Sequence, residues 1–216
     1  MFNKFSYLIL VSILFTSCSN EYKNINECKS LGTLELICGL QNPEDFAKIP
    51  HSNSLVVSQF AGLPELNQGR VLVGKLSKLN METQEIKDYE VQFLNNNTLG
   101  IGDQTCEPYE EFYPHGIDIY EDLKIRGNNL SPFLEEASLL AVVNHQKISS
   151  IEFFLIFPDF VNFSNQDKPT LFWVGCTKAP EANTFFNDVV ISDKSGSFYA
   201  THQYDKAVSY THLRAH

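Results

Sequence analysis

The chain of 216 residues is 43% hydrophobic and 12% aromatic, enough apolar material for a packed core, which excludes disorder for most of its length. Its 26 acidic residues against 16 basic ones give a net charge of −10. That balance argues against nucleic acid or anionic substrates as partners, since basic patches gather both, and it suits a protein that collects divalent cations.

Residues 1–18 read as an export signal. MFNK carries one positive charge, residues 5–15 (FSYLILVSILF) form an apolar stretch too short to span a bilayer, and TSC closes the segment with small residues. A cysteine directly after small residues resembles a bacterial lipobox, with Phe15 where Leu is usual. Acylation of Cys18 is therefore expected, anchoring the mature chain by lipid alone in the cell envelope, at the periplasmic or surface face of the outer membrane; the other outcome is a secreted protein. Residues 19–30 are then a polar tether, and 31–208 the domain.

Within the domain the pattern is β throughout. Short runs rich in Val, Ile, Phe, Tyr and Leu predict strands at 54–60, 69–76, 89–94, 115–120, 139–145, 150–157, 170–176, 188–192 and 197–204. Turn clusters such as NNNTLGIGD, RGNNLSP, SNQDKP and SDKSGS separate them. Only 45–49 and 131–138 have the character of a helical turn, and no long helix alternates with the strands, which argues against a parallel α/β fold. The eight terminal residues, SYTHLRAH (209–216), resemble translated sequencing-adapter sequence, and His212 and His216 are set aside on that ground.

Leaving out Cys18, four cysteines remain in an exported chain, which reads as disulfides with three possible pairings. The short separation favours Cys28–Cys38, leaving Cys106–Cys176. No CxxC occurs, and the spacings do not resemble a zinc site.

Evenly spaced short strands admit a sandwich, a barrel or a propeller. Polar markers favour the propeller. Glu44-Asp45, His115 with Asp118, and Asn187-Asp188 each open a unit of strand, turn, strand; 70 residues separate Asp45 from His115 and 72 separate His115 from Asn187. These markers also carry the chemistry. Adjacent carboxylates at Glu44-Asp45 are best tolerated when solvated or beside cations. In FYPHGID, Pro114 and Gly116 bend the chain around His115, a residue type that serves as a general base near neutrality. LLAVVNHQ ends in Asn144-His145, where a second imidazole could orient the first. FFNDVVIS offers an amide oxygen and a carboxylate at Asn187-Asp188, a pair that hard cations accept. Each stretch alone is also ordinary turn or strand-edge chemistry. No P-loop, GxGxxG, HExxH or GxSxG motif is present.

In the order PEDF…FYPHGID…AVVNH…IEFF…FNDVV…GSFYATHQY, from about residue 38 to 206, the chain resembles the paraoxonase/arylesterase family, relatives of the gluconolactonase and strictosidine-synthase-like six-bladed β-propellers. The resemblance implies an all-β propeller, of which about four blades are represented, and two calcium ions, one catalytic and one structural. It implies Glu44 and Asn187 as ligands of the catalytic ion. Asp45, Asp188 and the carbonyl of Ile117 fall to the structural one. His115 takes the place of the general base and His145 that of its partner, for hydrolysis of a small-molecule lactone or aryl ester. Further calcium ligands would come from later blades, so the chain is expected to be the N-terminal part of such an enzyme and inactive alone. A non-catalytic, calcium-stabilised binding propeller is the alternative; it would keep Asp45, Asp188 and Ile117 without needing either histidine.

Overall fold

The computed structural model describes residues 28–30, 32–62, 73–94, 99–121, 137–157, 168–192 and 197–205. The export signal with Cys18, residues 69–72 of one predicted strand, most of the expected helical turn at 131–138 and the segment 209–216 lie outside the described residues. Two compact units divide at Cys38. In the first, Cys28 and Cys38 are joined by a disulfide with Cα atoms 6.1 Å apart. All the strands belong to the second.

Eleven strands are described and no helix is found among the described residues. They are β1 (Pro43–Lys48), β2 (Ser54–Gln59), β3 (Lys75–Asn80), β4 (Ile86–Asp88), β5 (Glu90–Phe93), β6 (Pro114–Tyr120), β7 (Ser138–Asn144), β8 (Ser150–Ile156), β9 (Thr170–Lys178), β10 (Thr184–Ile191) and β11 (Phe198–Asp205). Three sheets result: β1-β2-β3-β4, β5-β9-β8-β7-β6 and β10-β11. Each is an antiparallel up-and-down arrangement in chain order, except that β5 joins the outer side of β9 in parallel. The first strands of the three meanders meet, with β6 touching both β1 and β10.

Sequence dictates the middle sheet most strongly. SLLAVVN and SIEFFLI are buried at every position, as continuous apolar runs must be when both faces of a sheet are covered. Side chains alternate along these strands with period two. Leu140, Val142, Phe154 and Ile156 face one core with Ile49, Val56, Leu76 and Trp173. Leu139, Ala141, Val143, Phe153 and Leu155 face the other, where Val189, Phe198 and Ala200 pack. The second disulfide, Cys106–Cys176, spans 70 residues and ties the loop after β5 into the first core.

Three expectations change. Residues 45–48 form strand, not a helical turn: Glu, Ala and Lys favour helix, yet pairing with the buried β2 overrides so weak a preference. The third strand begins at Lys75 and runs through polar KLSKLN, later than the apolar run at 69–76 suggested. β10 begins at Thr184, four residues before the expected strand, because Asn187-Asp188 is a bulge inside the strand and not a turn ahead of it.

Candidate functional site

Three equivalent pairs of residues converge where β1, β6 and β10 meet. Register shifts fall between Pro43 and Asp45, between Pro114 and Ile117, and between Phe186 and Val189. Glu44-Asp45, His115-Gly116 and Asn187-Asp188 each occupy such a bulge, 71 and then 72 positions apart. A bulge breaks the ladder and frees backbone groups that must find other partners. Asp45 and Asp188 solve this identically. The Asp45 N–H donates to Ser58 Oγ at 3.0 Å while Asp45 Oδ1 accepts from Phe46 N at 2.8 Å. The Asp188 N–H donates to Thr201 Oγ1 at 3.0 Å while Asp188 Oδ1 accepts from Val189 N at 2.8 Å. In the middle pair the aspartate position is Gly116, and a Cβ there would lie 2.5 Å from Asp188 Cα. Glycine is what lets β10 approach.

Carboxylates bridge the neighbouring first strands. Asp45 Oδ2 accepts from Ile117 N at 2.9 Å, and Asp118 Oδ2 accepts from Ile191 N at 2.7 Å. Asp118, a marker in the sequence, thus serves as a strut between β6 and β10. Ile117 enters the cluster through its N–H.

His115 is the hub. Its Nδ1 lies 2.8 Å from the Asn187 carbonyl oxygen and 3.1 Å from Glu44 Oε2, with the side chain only 14% exposed. A carbonyl can only accept, so Nδ1 carries the hydrogen, and in the neutral ring Nε2 holds the lone pair. His145 follows β7 and stacks on His115 at 4.6 Å between centroids and 25° between planes. Its Nε2 lies 2.6 Å from the Phe186 carbonyl oxygen, which places the hydrogen on Nε2 by the same reasoning. Phe60 packs edge-to-face with both imidazoles, at 5.6 and 5.7 Å between centroids, and the Phe185 ring centroid lies 3.9 Å from that of His145.

The charge balance is acidic. Partial burial pushes the Glu44 carboxyl above its ordinary value; His115 opposes that shift, and Asp45 and Asp188 add to it. Among the described residues no group of three or more His, Cys, Asp or Glu side chains stands close enough to hold a metal ion.

Sequence reasoning did not pick out Phe60, Phe185 or Glu152. Phe60 is the counterpart of His145 in the structure: its N–H donates to Asn42 O at 3.1 Å as His145 N–H donates to Tyr113 O at 3.1 Å, so the two residues hold the same place after the second strand of their sheets. The sequence hides this, because Phe60 follows Glu44 by 16 positions and His145 follows His115 by 30. Glu152 announces itself as the one charge in SIEFFLI.

A scan against models of known families finds no match, and searches of curated proteins and of solved structures find no significant relative.

Proposed function

We propose that the chain is part of a β-propeller of the paraoxonase type, a calcium-dependent hydrolase of lactones or aryl esters. The observation that carries this reading is the meeting of Glu44, His115 and Asn187 at equivalent bulges of three first strands, with a second imidazole stacked on His115. Successive antiparallel meanders whose first strands adjoin suit radial blades. The two disulfides suit an exported chain, in keeping with lipid attachment at Cys18.

The donor chemistry, rather than the spacing of the side chains, suits calcium. Glu44, Asp45, Asn187 and Asp188, with the Ile117 carbonyl, offer oxygen donors only, and mutual repulsion among the carboxylates is what a hard cation relieves. When bound, calcium supplies polarisation of the ester carbonyl and stabilisation of the developing oxyanion. His115, its Nδ1–H committed to Asn187 O and Glu44, draws a proton from the attacking water at Nε2. His145 holds the plane of that ring by stacking, and Phe60 and Phe185 keep water from the pair.

A second reading, a calcium-stabilised binding module, draws on one observation: both imidazoles spend a ring N–H on carbonyls of β10, which a purely structural role would also use. The test is hydrolysis of phenyl acetate and of an aliphatic lactone by the full-length protein. The enzyme reading expects activity that EDTA abolishes and calcium restores. Absence of activity on both, with a melting temperature that still depends on calcium, would leave the binding module.

A further inference from the structure

Glu152 sits in the middle of β8, is fully buried, and takes no part in the proposed reaction. Its carboxylate meets Ser150 Oγ at 2.6 Å, Gln146 Nε2 at 3.4 Å and Asn144 Nδ2 at 3.5 Å on one oxygen, and Trp173 Nε1 at 2.7 Å on the other. Among the described residues no cation forms an ion pair with it. A buried carboxylate whose hydrogen bonds all come from neutral donors, with the Lys178 charge acting only from a distance, is a costly way to fill a core.

What it holds is Asn144. That amide is itself fully buried, at the end of β7 directly before His145. Its Oδ1 accepts from Tyr113 N at 2.8 Å and its Nδ2 donates to Glu111 O at 3.0 Å, so one side chain clamps both ends of the segment that leads into Pro114 and His115. The His145 N–H completes the seam on Tyr113 O. With Glu152 and Glu111 O both facing Nδ2, a flipped amide would point its oxygen at two acceptors; the carboxylate therefore joins Glu111 O and the Tyr113 N–H in fixing which way Asn144 faces.

The first sheet supplies an internal comparison. Gln59 occupies the place of Asn144: its Oε1 accepts from Gln41 N ahead of Pro43, and its Nε2 donates to Ser77 Oγ, which in turn donates to Asp88. That carboxylate is half exposed and paired with Lys75 at 2.8 Å. Where the residue after the amide is Phe60, a shallow, lysine-paired brace suffices. Where it is His145, the brace is a buried, directly placed glutamate.

We infer that Glu152 is a positioning residue for the histidine pair, acting through Asn144 to set the ring of His145 against that of His115. The inference rests on the proposed hydrolase only for its catalytic consequence. The ring positions can be read without any substrate.

The test compares Glu152→Gln with the parent protein by imidazole 15N–1H NMR and by ester hydrolysis. A glutamine cannot accept on both sides, so it must present its NH2 either to Trp173 Nε1 or towards Asn144. The ring signals of both histidines are expected to move, and kcat to fall by about ten- to a hundredfold with KM little changed, as for a displaced reacting group. Leu79→Ala, a buried position in the first sheet away from the brace, controls for mere loss of stability: it should lower the melting temperature and leave the ring signals in place. Should Glu152→Gln not fold, Asn144→Ala cuts the same link from the loop side and must move the same signals. Unmoved histidine signals in a folded Glu152→Gln protein, or signals displaced as far by Leu79→Ala, would overturn the inference. A parent protein without esterase activity would count against the hydrolase alone, and the NMR comparison would still decide the brace.

Discussion

Replacing Gly116 by alanine perturbs the closest approach in the site. The new Cβ would lie 2.5 Å from Asp188 Cα and Oδ1 and 2.7 Å from Asn187 O, two of them backbone atoms that no rotamer change can remove. Ordinary contact begins at 3.4 Å, so β10 must retreat from β6 by roughly 0.9 Å. The His115 Nδ1–Asn187 O bond, at 2.8 Å, would then stretch beyond hydrogen-bond range. Overpacking of this kind costs about 1–3 kcal/mol and a lost hydrogen bond about 1 kcal/mol, which together put the loss near 3 kcal/mol. For a domain of this size the melting temperature should fall by roughly 6–12 °C. Thermal unfolding followed by circular dichroism in the strand band is the assay. A Gly116→Ala protein that melts within about one degree of the parent would refute the close approach of β6 and β10.

Two further outcomes follow from other parts of the structure. Removing Cys106–Cys176, with a sequence separation of 70, should destabilise by about 4 kcal/mol, and removing Cys28–Cys38, with a separation of 10, by about 3 kcal/mol, since the longer loop restrains the unfolded chain more; urea unfolding of the two paired Cys→Ser variants measures this, and a larger loss for the short loop would contradict it. Burial raises the Glu152 carboxyl above its ordinary value of 4.5, against the pull of hydrogen bonds from Ser150, Trp173 and Asn144 and of the Lys178 charge. The folded protein therefore holds that proton more tightly than the unfolded chain does. The resulting stabilisation is complete below the unfolded value and is lost as pH rises through the folded one. Urea midpoints from pH 4 to pH 7 should decline in the parent and decline less in Glu152→Gln; an unchanged slope would exclude Glu152 as its source.

How much of this was legible beforehand differs from element to element. β7 and β8 were plain because a strand covered on both faces is apolar at nearly every position, a pattern few other structures produce. The disulfide pairing followed from the short Cys28–Cys38 separation. β1 was hidden because PEDFAK carries helix-forming residues and only two side chains, Asp45 and Ala47, turn inward, so neither propensity nor hydrophobic alternation marks it. The first half of β10 was hidden for a related reason. Asn187-Asp188 has the composition of a turn, and a bulge uses the same conformational freedom inside a strand. The polar markers themselves were readable, as was their spacing near 71 residues. Their register was not: the equivalent residues are Glu44, His115 and Asn187, and only the hydrogen bonds shared by Asp45 and Asp188 reveal it. The Glu152 brace depends on contacts between β7, β8 and β9 that no local pattern encodes, although a lone carboxylate in an apolar run marks where to look.

The measurement that bears most directly on the account is ester and lactone hydrolysis by His115→Gln, made in the full-length protein with calcium present. Glutamine can keep a hydrogen bond to the Asn187 carbonyl but has no nitrogen lone pair to take a proton from water. The account predicts a fall in kcat/KM of about a hundred- to ten-thousandfold, with the circular dichroism spectrum of the parent retained. Hydrolysis within about twofold of the parent would show that His115 is not the base, and would contradict the account at its centre.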